Sequence, residues 1–308
     1  MSTLTTSAHD LIPARTTVES WMREFQNWLC RQLEMADGGA TFRQDAWEHA
    51  GGGGGLTRVI SNGDVLEKGG VNFSAVSGRM SDAAARQLLM PDPGYFATGV
   101  SVVQHPRSPL VPISHMNVRY FEAGNGEAWF GGGLDLTPIY VEEAQARWFH
   151  EQIKISCDRH DASYYPRFKQ WADEYFFLPH RQETRGVGGI FFDRLTVGRD
   201  GSFEELFAFV QDVGEVYGRT YAELMRLNRD QPHTETQKQW QLVRRGRYAE
   251  FNLAIDRGTK FGLETGGRTE SILMSLPPQC EWHYDFQIAP NSPEAATQAL
   301  LRKDVAWV

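Results

Sequence analysis

The sequence predicts an α+β fold, with an antiparallel sheet in the first half of the chain and mostly helices in the second. Two dipeptides, Asn62-Gly63 and Asn125-Gly126, each separate two runs of alternating apolar and polar residues, which is the pattern of a β-hairpin. From Val141 onward the apolar residues follow the period of a helix. Hairpins followed by helices favour an antiparallel sheet over a parallel α/β arrangement.

Composition and charge restrict the class of protein. The chain has 308 residues, of which 41% are hydrophobic and 23% charged, as in an ordinary globular enzyme with a sizeable core. Its net charge of −8 argues against nucleic-acid binding. Three widely spaced cysteines without a Cys-x-x-Cys pattern predict a reducing compartment. Neither a signal peptide nor a run of membrane-spanning length is visible. We therefore expect a cytoplasmic protein without a transmembrane segment.

The N-terminal part of the chain predicts a tail followed by a helix. Residues 1–15 are polar and aperiodic, which predicts a flexible tail. Residues 16–308 are expected to form a single domain, because no repeat or linker divides them. Thr16 and Glu19 form a capping box for a helix that stops at Gly38. The glycines at 51–55 lack the Gly-Lys-Ser/Thr of a phosphate loop, so they form either a flexible loop or a backbone that approaches a ligand closely.

The remaining elements follow from periodicity and turn residues. In the first half, the predicted elements are strands at 56–60, 65–77 and 98–103, a short helix at 82–89 and the hairpin at 114–138. In the second half, they are helices beginning near 141, 164, 202 and 240, a loop at 178–189, strands at 190–192, 250–255 and 281–288, and a terminal helix with Pro293 at its first position.

The first strand of the 114–138 hairpin carries the best candidate site. His115, Asn117 and Arg119 are spaced by two, so their side chains point to one face of a strand. The guanidinium of Arg119 matches a carboxylate, and His115 can transfer a proton near neutral pH. The alternative is a solvated polar strand face. The glycines at 131–133 on the second strand would leave room for a flat ligand.

Asp135 and the scattered histidines are weaker candidates. Asp135 could accept hydrogen bonds from ligand N–H groups or stabilise a developing cation, although a turn or helix-cap aspartate is an equally simple reading. His105, His115, His150 and His180 could together bind a transition metal. They show no close ligand spacing such as His-Glu-x-x-His, which favours structural or acid/base roles.

Arginines concentrate in three segments of this acidic chain. Together with Arg119 they suggest a flat polyanionic ligand, while the alternative for 244–247 is a solvated helix end favoured by the helix dipole. Besides Arg119, the residues are Arg181, Arg185, Arg244, Arg245, Arg247 and Arg268.

A series of motifs, in one fixed order over nearly the whole chain, resembles the oxygen-dependent coproporphyrinogen III oxidases of haem biosynthesis. The motifs are Gly51-Gly-Gly-Gly-Gly55, Gly70-Val-Asn-Phe-Ser74, Gly99-Val-Ser-Val-Val-Gln-His-Pro106, His115-Met-Asn-Val-Arg-Tyr-Phe121, Trp129-Phe-Gly-Gly-Gly-Leu-Asp-Leu-Thr-Pro138, Gly188-Gly-Ile-Phe-Phe-Asp193, Arg244-Arg-Gly-Arg-Tyr-Ala-Glu-Phe-Asn-Leu253 and Gly266-Gly-Arg-Thr-Glu-Ser-Ile-Leu-Met-Ser-Leu-Pro-Pro278.

The resemblance implies a fold and a reaction. The fold would be a large, mostly antiparallel β-sheet flanked by helices on both faces, in a homodimer whose contact falls within 248–283. The enzyme would convert coproporphyrinogen III to protoporphyrinogen IX by oxidative decarboxylation of the ring A and ring B propionates to vinyls. Molecular oxygen would be the co-substrate, with CO₂ and hydrogen peroxide released. A divalent metal cation is a further candidate cofactor, and no flavin, haem or nicotinamide motif is apparent.

The resemblance also assigns roles to single residues. His115 and Asp135 would be catalytic, with Asp135 holding the pyrrole nitrogens and His115 supplying a proton. The implied substrate-binding residues are Ser101, Asn117, Val118, Arg119, Gly266, Gly267 and Arg268. The implied metal ligands are His105, His115, His150 and His180.

Two other functions use the same residues. A porphyrin carrier without turnover would need the arginines and glycines but not the pairing of His115 with Asp135. A metal-dependent oxygenase acting on another anionic substrate would bring two histidines and a carboxylate to one iron.

Overall fold

A computed structural model describes residues 8–80, 85–86, 92–264 and 267–308. Within these ranges, seven strands form one antiparallel sheet in the order β1-β2-β3-β4-β5-β6-β9, and β7 pairs with β8 in a separate hairpin. The strands are β1 (Arg43–Glu48), β2 (Gly53–Ser61), β3 (Leu66–Arg79), β4 (Gly94–Pro106), β5 (Ile113–Ala123), β6 (Ala128–Thr137), β7 (Phe177–Leu178), β8 (Glu183–Thr184) and β9 (Gly188–Thr196). The predicted α+β class is confirmed.

One helix precedes the first strand, and the other helices come after the sixth strand. They are α1 (Ala8–Asp37), α2 (Glu143–Asp158), α3 (Tyr164–Tyr175), α4 (Phe203–Asn228), α5 (Glu235–Glu250), α6 (Arg257–Glu264), α7 (Thr269–Leu273) and α8 (Pro293–Leu300), with a π-helical turn at Phe251–Ile255 between α5 and α6. No helix in the described ranges is long and apolar enough to cross a bilayer.

Helices cover the sheet on both faces, as predicted. On one face, α1 and α4 pack against β3 to β6 over fully buried side chains such as Phe73, Val100 and Val118. On the other face, Tyr248 of α5 joins a buried cluster with Val103 of β4. The segment that contains α7 continues this cover over β2 and β3. The first face is an apolar core, and the second carries most of the polar candidates.

Both predicted Asn-Gly turns are present. Asn62 adopts a positive φ of 58° and Gly126 one of 85°, the left-handed conformations that these turn residues tolerate. Strands β5 and β6 pair directly across the second turn. Pro293 opens the last helix with Ser292 as its cap, also as predicted.

Several predicted elements differ from the structure. The predicted strand at 250–255 is wrong, because α5 continues into the π-helical turn there; a short apolar run does not distinguish a strand from a helix. The predicted strand at 281–288 is also wrong, since that segment has no regular structure. Helix α1 begins at Ala8 rather than at the expected cap, Thr16, so residues 8–15 are helical. The helix predicted at 82–89 lies mostly outside the described residues.

Candidate active site

The register of the sheet brings the candidate residues to its second face. Directly paired residues of an antiparallel sheet share a face. Ser101 on β4 pairs with Asn117 on β5. His115 pairs with Asp135 on β6, so these four side chains lie on one face. Asp135 therefore lies on the face that carries His115 and Arg119.

Small residues make this face a flat floor. Arg119 pairs with Gly131, and Asn117 with Gly133, so two of the three glycines lie beneath the polar triplet. Gly99 pairs with Arg119 on the other side. In the structure Gly131 lies beneath the side chains of Arg119 and Asp193, and Gly133 lies against Phe191, so a flat ligand reaches the backbone here only when these side chains move. We call this surface the glycine floor.

Val118 does not belong to the glycine floor. Its side chain points to the opposite face and is fully buried in the core. The implied substrate segment Asn117, Val118 and Arg119 therefore offers two side chains to a ligand, because successive residues of a strand point to opposite faces.

His115, Asp135 and Arg185 form a hydrogen-bonded series beside this floor. Nδ1 of His115 lies 2.9 Å from Oδ1 of Asp135. Arg185 donates to both carboxylate oxygens, from Nη2 to Oδ1 at 2.5 Å and from Nε to Oδ2 at 3.1 Å. The side chains of Asp135 and Arg185 are only 1% and 2% exposed, whereas His115 is 20% exposed. His115 is thus the member of the series that a ligand can reach.

Asp135 is held in its ionised form. Burial alone would raise the pKa of its carboxyl group, but the charge of Arg185 and the hydrogen bond from His115 outweigh burial and lower that pKa below its usual value. An ionised Asp135 favours a proton on Nδ1 of His115, which leaves Nε2 free to face a ligand.

The sequence gives no sign of the position of Arg185, which is one of several arginines and lies in the segment predicted as a loop at 178–189. In the structure its guanidinium lies against three aromatic rings, with centroid distances of 4.4 Å to Phe176, 4.7 Å to Tyr248 and 4.5 Å to Phe251. Cation–π contacts and the paired carboxylate compensate the burial of this charge.

Arg119 has internal partners on the floor. Its Nη2 lies 3.0 Å from Oδ1 of Asp193, and its Nη1 donates to Oδ1 of Asn117 at 3.2 Å. Both charged side chains remain more than a third exposed. Asp193 is the last residue of the Gly188-Gly-Ile-Phe-Phe-Asp193 motif, and nothing in its spacing indicates that it meets Arg119.

The second implied substrate segment lies at the other end of the same face. Gly266 falls outside the described residues. The N–H of Gly267 donates to the carbonyl of Gly262 at 2.8 Å. Arg268 forms an ion pair with Asp45 on β1, whereas Arg119 lies on β5. The structure therefore does not bring Arg268 into contact with the His115 end of the floor.

Residues 269–276 cover the same face of the sheet over β2 and β3. The amide of Asn72 donates to the carbonyl of Ser271 at 2.9 Å, and the hydroxyl groups of Ser271 and Thr57 lie 2.7 Å apart. Met274 packs directly on Gly70, where a Cβ would lie 1.8 Å from the methionine sulfur. The same segment reaches β4, where the carbonyl of Ser275 lies 2.8 Å from Nε2 of His105.

The four histidines do not come together. His105 lies 2.8 Å from the carbonyl of Ser275, and His180 lies 2.9 Å from Glu250. The ring of His150 contacts the Tyr165 hydroxyl and the Val187 carbonyl, at 3.0 and 2.9 Å. Within the described ranges, no three His, Cys, Asp or Glu side chains are grouped as metal ligands. The donors of one chain therefore do not fit the implied metal site.

The buried histidines are neutral. Burial lowers the pKa of His105 to about 3 and that of His150 to about 4. Both ring nitrogens of His150 have protein partners, which fits a structural role. Nδ1 of His105 is buried and has no hydrogen-bond partner among the described residues.

Most other arginines of the predicted cluster pair with internal carboxylates. Arg244 is buried and lies 2.7 Å from Glu183, and Arg245 is buried and lies 2.6 Å from Glu67. Arg244 and Arg245 are therefore not part of a solvated helix end, which was the alternative for 244–247. Glu250 receives Arg181, Arg247, His180 and the indole N–H of Trp282. These cations hold loops to α5 instead of facing the floor.

The chain matches a model of a known protein family. The family model described as Coproporphyrinogen III oxidase matches residues 17–307. The matched region contains every residue of the glycine floor and the series of His115, Asp135 and Arg185.

Proposed function

Because the chain belongs to the coproporphyrinogen III oxidase family, we propose that it catalyses the oxygen-dependent conversion of coproporphyrinogen III to protoporphyrinogen IX. In each of two rounds, a propionate side chain loses CO₂ and two electrons to become a vinyl group, and O₂ takes up these electrons and becomes hydrogen peroxide. The balance for one round is propionate carboxylate plus O₂ plus one proton, giving vinyl, CO₂ and H₂O₂. The reaction therefore consumes one proton per round.

The observation that carries this proposal is the composition of the glycine floor. One face presents a cation at Arg119, a proton donor at His115 and small residues between and beside them. A flat macrocycle with carboxylates at its rim requires this combination. Arg119 would bind a propionate, and the glycines would let the ring lie close to the backbone.

His115 is the proposed proton donor. Its Nδ1 is occupied by Asp135, and its partial exposure leaves Nε2 available to a ligand. A positioned side-chain acid can donate a proton to a reacting group in the transition state. In this conformation both oxygens of Asp135 accept hydrogen bonds from protein groups, so Asp135 would act on the ligand through His115.

A solution assay tests the reaction. Purified enzyme with coproporphyrinogen III under air is expected to consume one O₂ and release one CO₂ per propionate, and to form no product under strict anaerobiosis. Because the four histidines do not fit one metal site, chelator-treated enzyme shown by elemental analysis to lack metal should keep full activity. Anaerobic product formation would contradict the oxygen dependence. Activity lost on chelation and restored by a stoichiometric metal would contradict the assignment of the histidines.

We further propose a cytoplasmic homodimer with its contact within residues 248–283. Leu253, Leu263 and Trp282 support this contact, since their large apolar side chains are 48%, 41% and 55% exposed. The three cysteines are unpaired, which agrees with a reducing compartment. Light scattering on the purified protein should give twice the mass of one chain, and a monomer at working concentration would contradict the dimer.

A further inference from the structure

Asp193 forms an ion pair with Arg119, the residue that would bind a substrate carboxylate in the proposed function. Its Oδ1 lies 3.0 Å from Nη2 of Arg119, while Nη1 of Arg119 is taken by Asn117. Both terminal nitrogens of the guanidinium thus have internal acceptors. A propionate that binds the guanidinium at the N–H group directed at Asp193 must replace that carboxylate.

The backbone at Asp193 is shaped for this contact. Opposite the single Gly131 of β6, strand β9 carries two residues, Asp193 and Arg194, which is a β-bulge. Arg194 takes a positive φ of 51°, which is rare outside glycine. Asp193 lies two residues after Phe191, which pairs with Gly133, so strand alternation places its carboxylate on the floor, and the chain then departs from the regular pairing at Arg194.

Gly131 provides the space for the ion pair. A Cβ at this position would lie 2.6 Å from Oδ1 of Asp193 and 2.7 Å from Nε of Arg119. Any larger residue would therefore push one of the two side chains away. The irregular backbone at Arg194 and the missing side chain at Gly131 both lie next to the ion pair of Arg119 and Asp193.

The proposed reaction changes the charge that Arg119 faces. A substrate propionate brings one negative charge to the guanidinium, and that charge leaves as CO₂ when the vinyl group forms. The cation would then face a neutral side chain. A cation on a partly covered surface without a counter-charge is unfavourable, and Asp193 is the nearest carboxylate that can restore the balance.

We propose that Asp193 is a specificity-determining residue that exchanges with a reacting propionate on Arg119. This inference rests on the proposed function. In the free enzyme Asp193 pairs with Arg119. The substrate propionate displaces Asp193 from Arg119, and Asp193 pairs with Arg119 again after decarboxylation. The exchange penalises the binding of any ligand whose carboxylate must displace Asp193, and it favours release of the vinyl product.

Binding of two stable porphyrins tests the exchange. Coproporphyrin III carries four propionates, whereas deuteroporphyrin IX lacks those on rings A and B. The variant Asp193→Asn keeps the shape of the side chain but removes its charge. We expect it to bind coproporphyrin III about fivefold more tightly than wild type, the scale of an exposed ion pair. Its affinity for deuteroporphyrin IX should be unchanged, and its KM for coproporphyrinogen III should fall by a similar factor.

Asp212→Asn is the matched control. Asp212 lies 3.0 Å from Arg159 and is 30% exposed, close to the 35% of Asp193, but it lies on α4 at the opposite face of the sheet. It should change neither affinity nor KM. Gly131→Ala is a second test, because the added methyl group meets both Arg119 and Asp193. This variant should bind coproporphyrin III more weakly than wild type.

The outcomes separate this inference from the proposed function. If wild type binds neither porphyrin, the proposed function fails and the exchange fails with it. If wild type binds coproporphyrin III and Asp193→Asn binds it equally or more weakly, the exchange alone is overturned. A gain of the same size for deuteroporphyrin IX would also overturn it, because Arg119 would then hold a propionate that is not lost.

Discussion

Replacing Asp135 by alanine should lower kcat by at least about 100-fold, the scale of positioned acid–base catalysis, and destabilise the protein by about 3–5 kcal/mol. The first effect follows because His115 loses the carboxylate that orients its ring and favours the proton on Nδ1. The second follows because Arg185, which is 2% exposed, remains buried without its counter-charge. Steady-state kinetics and denaturant unfolding measure the two effects separately.

A double variant separates catalysis from folding. In Asp135→Ala with Arg185→Met, no unpaired charge is left in the interior, so part of the lost stability should return while activity stays low. Near-normal turnover in the Asp135→Ala enzyme would contradict the role of the carboxylate. Recovery of activity in the double variant would show that the single change acted only through misfolding.

The stabilising effect of Asp135 should also depend on pH. Because its folded-state pKa lies below that of the unfolded chain, the carboxylate contributes fully above the unfolded value of about 3.9 and loses this contribution as pH falls through the folded value. The difference in unfolding midpoint between wild type and Asp135→Ala should thus be constant from neutral pH down to about pH 5 and shrink below about pH 4. A difference that shrinks at alkaline pH would contradict this assignment.

Replacing His115 by alanine should lower kcat by about 100-fold to 1,000-fold, since positioned acids and bases contribute on this scale. The side chain is partly exposed, and Asp135 keeps both hydrogen bonds from Arg185, so we expect stability to change by less than about 1 kcal/mol. Added imidazole should restore part of the rate if the missing group is a proton donor.

His160 offers the matched control for this variant. It also pairs with an aspartate, with its Nε2 2.7 Å from Asp212, and its exposure of 18% is close to the 20% of His115. Its pair lies against α4, away from the glycine floor. His160→Ala should leave kcat and KM unchanged. Full activity in His115→Ala would remove the proposed proton donor.

The parts of the site that could be predicted are those fixed by local rules. The spacing of His115, Asn117 and Arg119 predicted one face, because side chains alternate strictly along a strand. The Asn-Gly turn predicted the hairpin but not its register, because a two-residue turn at Asn125-Gly126 would pair His115 with Leu136, whereas the structure pairs it with Asp135. Such features depend on neighbours in the sequence or on one short turn.

The parts that could not be predicted depend on distant pairing. Arg185 reaches Asp135 across fifty positions of the chain, and Asp193 meets Arg119 because β9 pairs with β6, which lies beside β5. Composition could not show that Arg244 and Arg245 are neutralised internally. A π-helical turn forms at Phe251–Ile255, where a strand was expected. A short apolar run is compatible with a strand or a helix, and packing in the fold determines which of them forms.

The central claim is that the glycine floor binds the macrocycle with a propionate on Arg119 and with His115 facing the ring. A crystal structure of the enzyme with coproporphyrin III tests this most directly. We expect the ring over Gly131 and Gly133, one propionate within hydrogen-bonding distance of Arg119, and Nε2 of His115 directed at the ligand. A macrocycle bound elsewhere, or an Arg119 without contact to any propionate, would contradict the account.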